Sequence, residues 1–280
     1  MEEQRISSFA SYNANMKKSL MDKIYFIDKT EATVFVDFGC ADGELIKFMN
    51  ALFPEYTYIG YDISESMIEA AHINIAGKDN VNLPKNIHLY SEWNALEKFL
   101  NENYINSKKA IILNSVIHEV YSYSTLLAID TFWDVVFGGK FEYVVIRDML
   151  PSMSINKKSN INDIAKVRRK ANKSHLSDYE NHWGSINENK NLIHFLLKYR
   201  WIENWDREVK ENYFPIYVEN FMEHITDKYV IDYYEEFILP YTKRQILKDF
   251  DIELKDNTHI KCILLSLIHI SEPTRRSYIS

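Results

Sequence analysis

Short runs of β-branched and aromatic residues alternate with segments of helical periodicity over the first half of the chain. The run at 33–38, TVFVDF, stops at a glycine and is typical of a buried strand. The same patterns predict further strands at 56–61, 87–90, 110–113 and 143–146, and helices at 44–53, 65–75, 95–101 and 125–137. Five strands separated by helices predict an α/β fold with a doubly wound, mostly parallel sheet.

The pattern changes on both sides of this block. Apolar side chains recur at helical spacing over residues 6–29, and residues 152–225 lack strand patterns and read as helices rich in tryptophan, tyrosine and basic side chains. Strand-like segments return at 230–239 and 259–264, with a helix from about Lys243 between them. We therefore expect N-terminal helices over 1–30, a core over 31–151, an inserted helical lid over 152–225 and closing strands over 226–264.

The final residues differ in character from the rest. The string at 265–275, LSLIHISEPTR, is similar to the in-frame translation of an adapter that sequencing-library preparation attaches to DNA ends. We expect a non-native tail over 265–280 and exclude it from fold reasoning. The nucleotide record tests this hypothesis, because codons that do not spell the adapter would contradict it.

Composition narrows the class of protein. The 280 residues are 46% apolar and 26% charged, which is typical of a globular protein large enough for its own core. No apolar run approaches the roughly 18–20 residues that span a bilayer, so a cytoplasmic protein without membrane contact is expected. Cys40 and Cys262 are too few for a disulfide scaffold and do not suggest a metal site. A net charge of −7 argues against wholesale binding to nucleic acid.

The segment Asp37-Phe38-Gly39-Cys40-Ala41-Asp42-Gly43 directly follows a predicted strand and precedes a predicted helix. Ligands of open parallel sheets bind at the carboxyl ends of the central strands, where this loop lies. Asp62 ends the next strand, 19 residues after Gly43, where a carboxylate can accept two hydrogen bonds from a ribose diol. A dinucleotide fingerprint would carry a third glycine that is missing here, which disfavours a nicotinamide-dependent oxidoreductase.

These residues resemble the first two motifs of the class I, Rossmann-like S-adenosylmethionine-dependent methyltransferases. The first motif is an acidic residue followed by x-Gly-x-Gly-x-Gly; Asp37, Gly39 and Gly43 match it, and Ala41 replaces the middle glycine. The run from Asp62 to Met67 resembles the second, an acidic residue, x-Ser-x-x-Met and a helix. The resemblance implies a seven-stranded sheet with an antiparallel strand at 259–264, and S-adenosylmethionine as cofactor.

The resemblance also implies which residues bind the cofactor. The acidic residue and the loop backbone would hold the methionine part, and residues after the second, third and fourth strands would meet the ribose, the adenine and the rest of the cofactor. These positions are Asp37, Gly39, Cys40, Ala41, Gly43, Asp62, Ile63, Met67, Glu92, Trp93 and Asn114. Three blander interpretations stay open: Asp62 as a helix cap, Glu92 as a surface acid and Trp93 as a core side chain.

The end of the fourth strand carries the candidate chemistry of methyl transfer. His118 and Glu119 resemble the fourth motif of small-molecule methyltransferases, and either could remove a proton from the acceptor, a contribution of about 10²–10⁴ in rate. A structural histidine at a helix start is the alternative. Arg147, after the fifth strand, could steady an anionic substrate or form a salt bridge, and Tyr121 is a second candidate substrate-binding residue.

The predicted lid begins with a basic segment. Residues 155–173 contain seven Lys or Arg residues against one acid, so they could attract a phosphate, a carboxylate or RNA, or simply form a solvated helix face. The sequence thus predicts methyl transfer to an oxygen or nitrogen, with a small molecule as the acceptor and no metal. The alternatives are an RNA methyltransferase that uses the basic lid and a catalytically silent cofactor-binding subunit; the oligomeric state stays open.

Overall fold

Seven strands form one sheet in the order β3-β2-β1-β4-β5-β7-β6. The computed structural model describes residues 20–77, 82–138, 140–225 and 227–269. The strands are β1 (Val34–Phe38), β2 (Thr57–Tyr61), β3 (Ile87–Tyr90), β4 (Lys109–Asn114), β5 (Tyr143–Asp148), β6 (Tyr229–Phe237) and β7 (His259–Ser266). Strands β1 to β5 pair in parallel, whereas β7 runs antiparallel to both β5 and β6. The predicted doubly wound sheet and its antiparallel strand are confirmed.

Helices flank the sheet on both faces. Before the fifth strand these are α1 (Leu20–Lys23), α2 (Glu44–Leu52), α3 (Glu65–Ala76), α4 (Trp93–Asn103), α5 (Ile117–Tyr123) and α6 (Leu126–Phe137). After it come α7 (Ile161–Lys170), α8 (Lys173–Trp183), α9 (Asn189–Tyr199), α10 (Trp205–Glu208), α11 (Val218–His224) and α12 (Pro240–Phe250). The predicted helix from about Lys243 begins three positions earlier, because Pro240 occupies the first turn, where a missing N–H costs nothing.

The central strands are buried on both faces, as parallel strands covered by helices require. All six side chains of β4 and all six of β5 are buried. One apolar cluster joins one face of the sheet to α4, α6 and α11, and a second joins the other face to α2 and the segment after α1. The carboxyl ends of β1, β4 and β5 are thereby held rigidly side by side.

The segment between β5 and β6, residues 152–225, is mainly helical in the described chain, and we name it the lid; that it closes over the site stays a prediction. It has its own apolar cluster, in which α8 and α9 pack together and to which Ile246 and Phe250 of α12 contribute. Lys198 on α9 is fully buried, and its Nζ donates to the carbonyl oxygens of Glu208 and Glu211. That pair of bonds fixes the turn after α10, which carries acidic side chains toward the sheet.

Some predictions fall at the edges of the described chain. Residues 6–19 of the predicted leading helices lie outside the described residues, and α1 is the first element that can be described. Strand β7 continues through Leu265 and Ser266, the first two residues of the tail predicted to be non-native, while residues 270–280 lie outside the described residues. Among the helices described, none has the length and apolar character needed to cross a bilayer.

Candidate active site

The loop between β1 and α2 needs glycine at two positions. Gly39 and Gly43 have φ angles of 75° and 69°, in the left-handed region that side chains disfavour. A Cβ on Gly39 would lie 2.9 Å from Cγ2 of Val116, and one on Gly43 would lie 2.8 Å from Cδ1 of Ile75. The loop is therefore a tight backbone cradle at the carboxyl end of β1, and the side chains of Val116 and Ile75 pack against it.

Asp62 ties this loop to the end of β2. Its Oδ2 accepts the Ala41 N–H at 3.0 Å and its Oδ1 accepts the Ser64 N–H at 3.0 Å. The cap of α3 itself is Ser64, whose hydroxyl accepts the Met67 N–H. Asp62 stays partly exposed, and because each carboxylate oxygen can accept two hydrogen bonds, it retains capacity for a diol.

A cavity of about 350 Å³ runs from this loop to the lid. It is lined by residues of the first loop, of the ends of β4 and β5, of α1, and of the lid and closing elements. Of the predicted site residues it brings together Asp37, Gly39, Cys40, Ala41, Asn114, His118, Glu119 and Arg147. Its volume is at the small end of the range of small-molecule sites.

Two buried charges lie at the loop end of this cavity. Burial raises the pKa of Asp37 to about 7, while the nearby Lys23 acts in the opposite direction. Lys23, on α1, is itself buried, and burial followed by the charge of Arg147 lowers its pKa. An ammonium and a carboxylate of a bound ligand would each find a partner of opposite charge here.

His118 lies between two carboxylates. Its Nδ1 is 2.5 Å from Oδ1 of Asp148 and its Nε2 is 3.2 Å from Oε1 of Glu211. Burial acts to lower the pKa of His118, but the two carboxylates outweigh it and hold that pKa well above its usual value. His118 is therefore an imidazolium whose two N–H groups are both engaged, and it is not free to accept a proton from a substrate.

Asp148 also fixes the short helix that carries His118. Its Oδ2 accepts the Ile117 N–H at 2.6 Å and the more distant His118 N–H at 3.4 Å, so β5 supplies the cap of α5. Ser115, just before α5, has a φ angle of 60°, a strained conformation of the kind that clusters at functional sites. This backbone conformation turns the chain sharply from β4 into α5.

A cluster of charged side chains lies beside His118 and consists of Glu119, Glu211 and Arg207. Potential ligand atoms of His118, Glu119 and Glu211 lie within 4.8 Å of one another, a spacing that could hold a metal ion. Arg207 lies 3.6 Å from a carboxylate oxygen of Glu119 and 3.6 Å from one of Glu211, so a cation already faces both. This group was not predicted from the sequence, because Glu211 comes from the lid. The expectation of no metal stays a prediction.

The remaining predicted residues, Gly43 of the glycine loop among them, lie outside the cavity lining. Asp62, Ile63, Met67, Glu92 and Trp93 follow β2 and β3, beside the open end of the cradle. Ile63 is 82% exposed, and the Trp93 ring packs against Phe38 and Tyr61.

Tyr121 is held elsewhere. Its hydroxyl group lies 3.1 Å from Nε2 of His224 and accepts the Trp133 Nε1–H at 2.9 Å, so it points into the apolar cluster under α6. The structure therefore does not bring Tyr121 together with His118, Glu119 and Arg147.

Sequence reasoning did not single out several residues that line the cavity. They come from α1, the lid and the closing elements: Lys23, Arg200, Arg207, Glu211, Thr242 and His259. Arg207 and Glu211 are four residues apart, but the others reach the cavity from separate elements, so no short motif links the set. The one available signal was the prediction that 152–225 forms a lid over this edge of the sheet.

The methyltransferase-domain family matches residues 12–226, well over half of the chain. The search of curated proteins found no significantly similar sequence.

Similar solved structures include the methyltransferase domain of bacterial CtHen1, at 13% identity and a TM-score of 0.45, covering 90% of this chain and 98% of that one. The plantazolicin methyltransferase BpumL, in complex with SAH, has 10% identity and a TM-score of 0.44, covering 92% of this chain and 85% of that one. PKMT2 from Rickettsia typhi, in complex with AdoHcy, has 14% identity and a TM-score of 0.43, covering 84% of this chain and 49% of that one.

The family match covers the glycine loop, Asp62, the helix that carries His118 and most of the lid. The seven-stranded sheet and its antiparallel strand are those that the class I resemblance implied. The chain belongs to the methyltransferase-domain family and is a class I, S-adenosylmethionine-dependent methyltransferase.

Proposed function

We propose that this enzyme methylates an oxygen or nitrogen of a small molecule that enters the cavity beneath the lid. The observation that carries the proposal is the cavity itself: it joins the glycine loop to Glu119 and to the lid within about 350 Å³. A methyl donor held by the loop would therefore share one small space with its acceptor. Catalysis by proximity requires this arrangement, and holding the reactants in line is worth up to about 7–11 kcal/mol.

The residues at the loop fit the cofactor. The backbone cradle at Gly39 and Gly43 leaves no room for side chains, Asp37 can accept from the methionine ammonium, and Lys23 can pair with its carboxylate. Asp62 would accept from the ribose hydroxyls, and the exposed Ile63 would cover the adenine. When bound, S-adenosylmethionine supplies a sulfonium methyl group that a nucleophile can attack in line.

Toward the acceptor we assign different roles to His118 and Glu119. Glu119 lines the cavity, and burial raises its pKa, so its carboxylate is suited to accept the acceptor's proton as the new bond to the methyl carbon forms. His118 is a positioning residue, because its two N–H groups hold Asp148 and Glu211. The imidazolium thereby sets the geometry of α5 and of the turn that carries Glu211.

The ion pairs formed by the lid's basic segment favour a small acceptor over RNA. Four of its cations are ion-paired within the described chain: Lys157 with Asp256, Lys158 with Glu188, Lys166 with Asp251 and Arg168 with Glu180. A phosphate backbone would have to compete with these carboxylates. The same proposal places the enzyme in the cytoplasm, where the free thiols of Cys40 and Cys262 stay reduced.

The test is calorimetric titration with S-adenosylhomocysteine and, separately, with NADPH. We expect micromolar binding of the first alone. Asp62→Ala should weaken that binding by about 30-fold or more, since hydrogen bonds to a charged group are worth about 1.5–3 kcal/mol each. Glu69→Ala, which removes an exposed carboxylate from α3, is the matched control and should leave the affinity unchanged.

Two results would contradict the proposal. Binding of NADPH alone would assign the glycine loop to a different cofactor. Binding of neither ligand by a folded protein would remove the methyl donor, and with it the proposed reaction.

A further inference from the structure

Arg147 enters the cavity from β5 with a hydrogen-bonding group that has no partner. Its side chain is buried; Nε donates to Oδ2 of Asp22 at 2.7 Å, and Nη1 lies 3.3 Å from Oγ of Ser115. Nη2 is buried without a hydrogen-bond partner in the described structure. The salt bridge expected for Arg147 is therefore present, yet one edge of the guanidinium is left unsatisfied, which is costly for a buried charged donor.

Arg200, at the end of α9, lines the same cavity from the lid. Its Nη1 donates to Oγ1 of Thr242 at 2.9 Å, and its guanidinium carbon lies 4.7 Å and 4.8 Å from the ring centroids of Trp201 and Tyr241. Its Nε is also buried without a hydrogen-bond partner in the described structure. The aromatic contacts fix the orientation of the guanidinium plane, so this donor too is preorganised.

Asp22 pairs with one edge of Arg147, whereas no carboxylate of the described residues forms an ion pair with Arg200. Burial lowers the pKa of Arg200, and the charge of Arg147 acts in the same direction, so the two cations oppose each other. His259, another lining residue, adds no further positive charge, since burial lowers its pKa to about 3 and leaves it neutral.

The carboxylates of Glu119, Glu208 and Glu211 also line the cavity, but they face His118 and Arg207. The unsatisfied guanidinium donors of Arg147 and Arg200 therefore favour a bound anion.

We propose that Arg147 and Arg200 form a subsite for a carboxylate or phosphate group of the methyl acceptor, an inference that rests on the proposed methyl transfer. Guanidinium groups suit such planar or multidentate oxyanions because their N–H donors form a rigid fork. The acceptor then has a nucleophilic oxygen or nitrogen near Glu119 and an oxyanion at the arginine pair.

The cofactor's own carboxylate does not account for both arginines. Lys23 lines the cavity beside Asp37, whose charge acts to raise the pKa of Lys23, and it is placed to meet the methionine end at the loop. One cofactor carboxylate needs one such partner. Arg147 and Arg200 remain for the second substrate.

The experiment measures thermal unfolding with sodium phosphate, sodium acetate or sodium chloride at equal ionic strength, both without ligand and with saturating S-adenosylhomocysteine. We expect phosphate or acetate to raise the unfolding midpoint of the wild type by about 2–4 °C more than chloride does. Whichever of the two gives the larger excess identifies the oxyanion. Arg200→Gln and Arg147→Gln should lose the excess, Arg200→Lys should keep part of it, and Arg169→Gln, at an exposed arginine of α7, should keep it in full.

Calorimetry with S-adenosylhomocysteine on the same variants separates this inference from the proposed function. We expect Arg200→Gln to keep the wild-type affinity within about threefold, which also shows that the variant is folded. Loss of that affinity would assign the arginines to the cofactor carboxylate and overturn the inference. The inference is also overturned if the extra rise in unfolding midpoint over chloride persists in both Gln variants, or if a wild type that binds S-adenosylhomocysteine does not show it. A wild type that does not bind S-adenosylhomocysteine would instead refute the proposed function, and the acceptor assignment with it.

Discussion

Ala41 occupies a backbone conformation that costs an alanine free energy. Its φ angle is 47°, in the left-handed region, where a Cβ costs about 1–2 kcal/mol. The sequence showed the departure from glycine but not its consequence, which depends on the turn. The hydrogen bond from Ala41 to Asp62 holds the loop in place in spite of this strain.

Ala41→Gly should therefore raise the free energy of unfolding. Relief of the left-handed strain exceeds the entropy that an extra glycine adds to the unfolded chain, about 0.4–1 kcal/mol, so we expect a net gain of about 0.5–1 kcal/mol. Urea unfolding measures it. Ala70→Gly, in the interior of helix α3, should show the opposite sign, a loss of about 1 kcal/mol, and a loss of similar size at Ala41 would contradict the strain.

The raised pKa of Asp37 predicts how the affinity for the cofactor depends on pH. Burial raises its pKa to about 7, and a bound ammonium favours its ionised form. Since the carboxyl must be deprotonated to bind, the affinity for S-adenosylhomocysteine should rise about tenfold per pH unit from pH 5 toward 7 and then flatten. Calorimetry at several pH values tests this. Asp37→Asn should abolish the rise; a wild-type affinity independent of pH would show that Asp37 does not meet the ammonium.

At the scale of elements, the strands were more predictable than the short helix that carries His118. A strand such as β4 is buried on both faces and appears as a continuous apolar run. Helix α5 has only seven residues, and the carboxylate that caps it belongs to β5, 31 positions away along the chain. Local periodicity cannot detect such a cap, and the roles of Asp148 and Glu211 were missed for the same reason.

Asp148→Asn should destabilise the protein strongly. The substitution keeps the shape of the side chain but leaves the His118 imidazolium without one buried counter-charge and weakens the cap of α5. Breaking a buried charge pair typically costs about 3–5 kcal/mol, and we expect a loss in that range by urea unfolding. Asp134→Asn, at an exposed carboxylate of α6, is the control with an expected change below about 0.5 kcal/mol. An equally small change at Asp148 would mean that the pair contributes nothing.

At the scale of the molecule, the sequence indicated the sheet, the glycine loop and the helical character of the segment between β5 and β6. The shape of the cavity could not be predicted from the sequence, because Lys23, Arg200 and His259 line it from α1, the end of α9 and β7. Only long-range packing brings such side chains together. The lid is tied to the rest of the fold in the same way, since the residues after α12 that lead into β7 pack in the lid's own cluster.

The lid and the sheet should consequently unfold together. Phe250 of α12 is 2% exposed and contacts Tyr199 of the lid edge-on, with ring centroids 5.0 Å apart. Phe250→Ala should cost about 3–5 kcal/mol by loss of buried area and a cavity, whereas Leu247→Ala, which removes a side chain 47% exposed on the same helix, should cost about 1 kcal/mol or less. Tryptophan fluorescence reports on Trp183, Trp201 and Trp205 of the lid and on the two tryptophans of the core. In both variants, the urea transitions followed by fluorescence and by far-UV circular dichroism should coincide. A fluorescence midpoint that moved alone in Phe250→Ala would show instead that the lid unfolds as an independent unit.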